Sequence, residues 1–454
     1  MPGAAANGEG AGAVDADEPF FREWNRRAPG GRRSLERARA LARLLRLPDP
    51  DRPVLAVVGS KGKGTAATYA SAVLAAAGLR TATVTSPAYR TNRERIRVDG
   101  RAVDDRDLRH LAGTLQDAVK ALPPPARGHL SPSGLFMLAG ALHARERGLD
   151  VLVLEAGMGG RSDEVSLFPP AVVAITPVFR EHAGVLGDTV AQIAREKAGA
   201  VAPGTRAVVS APQRGEAAAA LAGAIREITG GAVRLETLSS PDRAAADEPP
   251  DGRPSGALPP VAPRPGDPRS GDLPSGDLLP AGLAAASART GHLAALRLME
   301  VLGRPAPDAA RLRAVLETVV LPGRLSWHTV PGTRTELLAD SAIDRTGIAV
   351  ALAEARARWG AVDHAVVCLP DHKDLDGAVA ELHGLPVTYA RLPHDHLRFT
   401  RPLPERWRVA DAGDLTAGRL AALGRRVVVL GTVYFVGRVL DTVGADTERL
   451  FRVP

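Results

Sequence analysis

The chain reads as an α/β protein: a doubly wound parallel sheet followed by a smaller, Rossmann-like α/β domain. Three observations carry that expectation. Short β-branched and apolar runs (VLAVV, DVLVL, AVVAIT, then AVVCL and RVVVL) alternate with Ala- and Leu-rich helical stretches. The first run leads straight into a glycine-rich turn and a helix. The strand ends deliver Ser86, Glu155 and His182, the edge of such a sheet where ligands bind.

The turn is GSKGKGT, Gly59 to Thr65, after the strand Val54–Val58. Gly59, Gly62 and Gly64 allow sharp turning and expose successive amides. An Ala-rich helix over 66–77 ends at Gly78. Amides and helix dipole together favour an anion, with Ser60 and Lys61 in the same loop. Lys63 would meet the β- and γ-phosphates and Thr65 a magnesium ion, which makes the first unit a P-loop-type ATPase domain. The strict phosphate-loop pattern is not met, because Gly64 separates Lys63 from Thr65 and Val57 replaces the first glycine. An ordinary glycine-rich βα turn is the plainer alternative.

The 454 residues allow two to three domains, and 45% apolar with 24% charged residues describes a soluble globular protein. No run reaches transmembrane length, and the start MPGAAANGEG has no signal pattern, so a cytoplasmic protein without membrane contact is expected. The single cysteine, Cys368, excludes an internal disulfide. The net charge of +7 is spread over helices with acidic neighbours and only 4% aromatics, which argues for solvated faces rather than nucleic-acid binding. Of 58 basic residues only five are lysine: Lys61, Lys63, Lys120, Lys197 and Lys373. In a chain this partial to arginine, retained lysines mark positions where the two differ chemically.

In order, 1–18 is expected to be disordered and 20–47 a helical lead-in. Strands follow at 54–58, 81–85, 150–154, 171–176 and 206–210, with helices over 104–122, 133–147 and 190–200. The Pro/Gly/Asp-rich stretch 239–280 reads as a flexible insertion. Helix returns over 281–320, so the ATP-binding domain is drawn as 19–320. A C-terminal domain over 321–454 has strands near 336, 365–369, 386–390 and 426–430.

Several stretches run in an order that identifies a family: GSKGKGT, TSP…ERIRVDG, LEAGMGGRSDE, ITPVFREHAGVLGDTVAQIAREKAGAVAPG, PGRL, DHKD and GTVYFVG. The chain resembles the Mur ligase superfamily, and within it the folylpolyglutamate synthase/dihydrofolate synthase branch. The resemblance implies ATP-dependent amide formation through an acyl phosphate, with small-molecule partners (a carboxylic acid and an amino acid or amine), acting as a monomer. It implies that Lys63 and the loop hold phosphates, that Thr65, Ser86 and Glu155 serve a first Mg2+, and that His182 serves a second. Lys197 matches a lysine that the family commonly carbamylates, the unmodified cation being the alternative. Arg324 would reach phosphate, Asp340 the ribose, and His292 stands where an adenine-side asparagine is expected. Lys373 and Asp374 would lie near the incoming amino acid or the phosphate.

The departures concern the substrate-facing loops. HLVRFNERI has become AYRTNRERI, which puts Tyr89 and Arg90 beside the acid. Gly134 replaces a glutamate, GGRLDATN has become GGRSDEVS with Arg161 in it, and DGAHNPH has become DSAIDRTG, with Ile343 for the histidine and Asp344 for the asparagine. The expected function is a ligase of this branch with a non-folate acid. The alternatives are an ordinary folylpolyglutamate/dihydrofolate synthase and, given Ile343, a non-catalytic nucleotide-binding scaffold.

Overall fold

The computed structural model describes residues 16–28, 30–125, 128–239, 280, 283–393 and 397–454. Most of the expected disordered N-terminus and of the 239–280 insertion lies outside these residues. Two sheets organise the chain. The first has eight strands: β1 Val54–Val58, β2 Thr81–Val84, β3 Ile96–Val98, β4 Arg101–Ala102, β5 Val151–Glu155, β6 Val172–Ile175, β7 Ala207–Ser210 and β8 Leu235–Thr237. Their order is β4-β3-β2-β5-β1-β6-β7-β8. All pairings from β2 to β8 are parallel, and β3 and β4 add an antiparallel edge.

From β1 the chain crosses to β2 on one side, while β6 lies on the other. The phosphate loop therefore leaves the central strand at the point where the winding reverses, the ligand crevice of such sheets. The register Val57↔Glu155 sets Glu155 at the mouth of that crevice. The central strands are buried on both faces, consistent with their unbroken apolar runs.

The second sheet has six strands: β9 Ser326–Thr329, β10 Glu336–Asp340, β11 His364–Cys368, β12 Val387–Arg391, β13 Arg408–Asp411 and β14 Arg426–Gly431, in the order β13-β12-β11-β14-β10-β9. Only the β9–β10 pairing is antiparallel. The last residues return to the first unit: Leu450 N donates to the Gly100 carbonyl at 2.9 Å, and Phe451 is buried against Gly100.

Three expectations need correction. The lead-in is two helices, Glu18–Arg26 and Leu35–Leu44, separated by a stretch in which Gly30 has φ +75°. The stretch 281–320 is also two, Leu283–Val301 and Ala309–Leu316, because Gly303, Pro305 and Pro307 fall between them. The loop helix begins earlier, at Lys63, so Lys63, Gly64 and Thr65 form its first turn. Among the described residues no helix is long and apolar enough to cross a membrane.

Candidate active site

The loop backbone is fixed by tight contacts. Gly59 has φ +141°, and a β-carbon there would lie 1.9 Å from Thr176 Oγ1. Gly62, at φ +86°, is the left-handed N-cap of helix Lys63–Ala76, and its β-carbon would fall 2.1 Å from Ser287 Oγ. Both positions need glycine. Ser60 is fixed to the strand-end turn: its amide donates to the Pro177 carbonyl and its hydroxyl to the Phe179 carbonyl.

Two lysines converge on this loop. Lys63 Nζ donates to the Gly59 carbonyl at 3.2 Å. Lys197, on helix Val190–Ala198 and 1% exposed, donates to the same carbonyl at 2.8 Å and pairs with Glu181 at 2.7 Å. Burial lowers the Lys197 pKa, Lys63 lowers it further, and Glu181 opposes both. Glu181 was not singled out from the sequence, although it adjoins His182.

Glu155 is buried, accepts from the Ser86 amide at 2.9 Å, and faces Gly64, whose β-carbon would lie 3.5 Å from a carboxylate oxygen. Burial raises its pKa, while Lys63, the Ser86 amide and Arg324 pull it down. Thr65, Ser86 and Glu155 line one cavity together with Gly64, Tyr89 and, from the second unit, Arg324. This donor set, one carboxylate and two hydroxyls beside a phosphate loop, is all oxygen and suits Mg2+, which takes few protein ligands and completes its shell with phosphates and water. His182 stands apart. It has φ +45°, its side chain is half exposed, and Nε2 is 4.0 Å from Glu181. Burial lowers its pKa. Among the described residues no group of three His, Cys, Asp or Glu side chains could hold a metal.

Arg324 enters from the turn before β9. Its pKa is raised by Tyr89 first, then by Asp340 and Glu155, against burial. Asp340, at the end of β10, accepts from the Leu325 amide at 2.8 Å, and burial raises its pKa. His292 is buried on helix Leu283–Val301, which packs so closely on the loop helix that a β-carbon at Gly291 would lie 2.0 Å from the Ala66 carbonyl. Among the described residues its Nδ1 has no partner, as is true of Ser287 Oγ and Arg289 Nε on the same helix. Burial alone pushes His292 down to about 4.

Of the residues expected at the acid or amine, Tyr89 lines the Glu155 cavity, whereas Arg90, Arg161 and Asp374 do not. Tyr89 docks into the second unit, with its hydroxyl 3.3 Å from Ser341 Oγ and its carbonyl against Gly437. Arg90 binds Asp441 at 2.6 Å and the Ala445 carbonyl at 2.6 Å. The rewritten loop thus fastens the two units together. Its hub is buried Glu94, which accepts from the amides of Tyr89, Arg90 and Thr91 and from Thr447 Oγ1. The T-x-x-E spacing of Thr91 and Glu94 is the visible sequence signal for this hub. Arg161 is exposed, with its β-carbon packed on Gly199. Asp374 is spent as a helix cap, accepting from Gly377 N at 2.9 Å and Arg345 N at 2.9 Å. Lys373 remains at the cleft, where burial lowers its pKa while Glu181 and Asp344 raise it.

The vacated glutamate position has a counterpart. A β-carbon at Gly134 would lie 2.4 Å from Glu164 Cδ, so Glu164 fills the space above Gly134. Buried Glu164 accepts from Ser131 Oγ at 2.7 Å, and Arg33 joins it to Asp163 and the Met158 carbonyl. The two changes, Gly134 and SDE at 162–164, are one substitution in space.

With this geometry in place, the structural neighbours decide the architecture. A mutant form of L. casei folylpolyglutamate synthase superposes with a TM-score of 0.71 at 20% identity, covering 95% of this chain and 100% of that one. The fold is that of folylpolyglutamate synthase. The bifunctional folylpolyglutamate synthase/dihydrofolate synthase of Yersinia pestis, in complex with AMPPNP and Mn ion, shares the fold at a TM-score of 0.68 and 22% identity, covering 95% and 100% of the two chains. In sequence, the chain is 38% identical over 184 residues to a probable bifunctional folylpolyglutamate synthase/dihydropteroate synthase of Haloferax volcanii, covering 38% of this chain and 20% of the relative. It is 31% identical over 173 residues to the dihydrofolate synthase/folylpolyglutamate synthase of Bacillus subtilis, covering 37% and 40%. The chain therefore spans a fifth to two-fifths of the length of these curated relatives. No family model matches it.

Proposed function

We propose that the chain is an ATP-dependent carboxylate–amine ligase. The observation that supports this most directly is the cavity where Glu155, held by the Ser86 amide, meets the first turn of the phosphate-loop helix and Arg324 of the second unit. A substrate carboxylate oxygen attacks the γ-phosphorus and ADP departs. The amine then attacks the acyl carbon, phosphate leaves with the C–O bond electrons, and the nitrogen loses a proton. Lys63, the loop amides and Arg324 neutralise the charge that moves during both displacements. Thr65, Ser86 and Glu155 would hold Mg2+, which supplies charge neutralisation on the phosphates. Asp340 is assigned to the ribose and His292 to the adenine side. Closure of the two units keeps water from the acyl phosphate.

For Lys197 we favour the ammonium over the carbamate, because a carbamate would set an anion against the Glu181 carboxylate now 2.7 Å from Nζ. A carbon-13 carbamate resonance on supplying labelled bicarbonate would overturn this; none is expected.

For the acid we propose a carboxylate other than an ordinary folate. The loop with Tyr89 and Arg90 is committed to the interface, and the Gly134 space is filled by Glu164 bound to Arg33. The second reading, an ordinary folylpolyglutamate/dihydrofolate synthase, is favoured by the match over the whole length of such structures. ADP release screened over acids and amines decides between them. Turnover only with dihydropteroate or tetrahydrofolate plus glutamate establishes the second reading, and no ADP release with any pair removes both. Light scattering of the active form is expected to give one chain.

A further inference from the structure

Among the described residues the chain crosses between the units twice, and the two crossings are paired. The outgoing link runs from helix Ala309–Leu316 to β9, and the returning tail follows helix Val433–Thr442. Val320 N donates to the Leu450 carbonyl at 2.8 Å, and two residues away on each segment Arg452 N donates to Thr318 Oγ1 at 2.8 Å. The other edge of the tail meets β4: Leu450 N donates to the Gly100 carbonyl, and Ala102 N to the Glu448 carbonyl at 2.8 Å. Residues 448–452 therefore lie between the sheet edge of the first unit and the link into the second.

The anchor of the tail is Phe451, buried against Gly100, where φ is +80° and a β-carbon would lie 2.8 Å from the ring. Phe451 shares a buried cluster with Tyr69, Ala72 and Ala75. These belong to helix Lys63–Ala76, the helix whose first turn carries Lys63 and Thr65. One residue earlier, Leu450 lines the cavity in which Leu321, Pro322 and Arg324 face Glu155. This dipeptide touches both the back of the phosphate-loop helix and the link that delivers Arg324 a few residues beyond Val320. The turn beneath Arg324 is closed locally, its amide donating to the Leu321 carbonyl at 3.1 Å. What sets that turn against the phosphate loop is the tail. A charged group is placed only as well as the packing that supports it, and small misplacements are costly.

We propose that the C-terminal tail is a positioning element: Phe451 seats it on the phosphate-loop helix, and through Leu450 and Val320 it holds Arg324 where bound nucleotide needs it. This rests on the ligase reading above, in which Arg324 neutralises phosphate charge.

The test is calorimetric titration of the full chain with AMPPCP–Mg2+, at a temperature where each variant keeps the circular dichroism of the native chain. Arg324→Ala should weaken binding about ten-fold or more, as expected on losing a charged hydrogen-bond partner. Phe451→Ala should weaken it about three-fold or more, a part of the same contact. Phe451→Leu keeps an apolar anchor and should bind as the native chain does. Val320→Pro removes the amide that donates to Leu450, at a position 49% exposed, and should also weaken binding; it serves where Phe451→Ala does not fold. In the Arg324→Ala background neither Phe451→Ala nor Val320→Pro should cost anything more. A tail that only stabilises the fold would lower the unfolding temperature and leave that coupling at zero. Native affinity in folded Phe451→Ala or Val320→Pro, a loss that persists beside Arg324→Ala, or native affinity in Arg324→Ala itself each overturns the proposal. A native chain that binds no AMPPCP–Mg2+ is a separate result, and it removes the ligase reading itself.

Discussion

Glu155 carries a cost that its proposed role explains. Its carboxyl is buried, and burial holds its pKa above the ordinary 4.5. A carboxyl with a raised folded pKa is most favourable to folding when protonated, so its ionisation takes stability away as pH rises through the folded value. Glu155→Gln should therefore unfold at a higher temperature than the native chain at pH 7, and this advantage should disappear below about pH 4.5. The same variant should form no amide. Thermal unfolding at the two pH values with ADP release at pH 7 checks both, and normal turnover removes Glu155 from the mechanism. Gly134 allows a second residue-scale test. Gly134→Ala places its β-carbon 2.4 Å from Glu164 Cδ and should lose about 1–3 kcal/mol of stability by overpacking. Adding Glu164→Ala should return part of that loss, and additive losses in denaturant unfolding would show the two side chains to be uncoupled.

At the scale of elements, the central strands were legible because both their faces are buried, and unbroken apolar runs leave little ambiguity. The short edge strands β3, β4, β8 and β13 were not, since they carry arginines, charged turns or exposed positions that resemble loops. The phosphate loop, Glu155 and Lys197 could be placed from their own motifs. Tyr89, Arg90 and Asp374 could not, because their partners lie far along the chain or in another helix: Asp441 for Arg90, Arg345 for Asp374. Helix Leu283–Val301 gives the pH test. His292 is held down to about 4 by burial, against 6.5 ordinarily. The unfolded chain binds its proton first as pH falls, so stability should drop between pH 6.5 and 4, by on the order of 3 kcal/mol. His292→Asn should flatten that part of the stability curve. An unchanged slope in chemical denaturation between these pH values would mean that His292 is not the titrating group.

The whole molecule depends on how the two units meet, through Leu450 and Phe451 packed with Tyr69, Ala72 and Ala75 of the loop helix and through polar contacts around the Tyr89 loop. Arg90–Asp441, Arg93–Glu448 and Lys61–Asp344 are ion pairs with partly exposed members, individually weak. Steric fit adds what they lack. Helix Val433–Thr442 lies so close to the Tyr89 loop that a β-carbon at Gly437 would fall 1.9 Å from the Tyr89 carbonyl oxygen. Alanine ordinarily stabilises a helix interior by about 1 kcal/mol over glycine. Gly437→Ala should do the reverse, because its methyl has to displace backbone rather than a mobile side chain. The Tyr89 loop would be pushed away from the Pro322–Arg324 turn, opening the cavity that both line. The expected outcome is a larger radius of gyration by small-angle scattering and weaker AMPPCP binding, with the secondary structure retained. Gly418→Ala, in helix Ala417–Ala422 with open space around its β-carbon, is the matched control and should change neither. Equal behaviour of the two variants would show that the close approach at Gly437 has no part in closing the site.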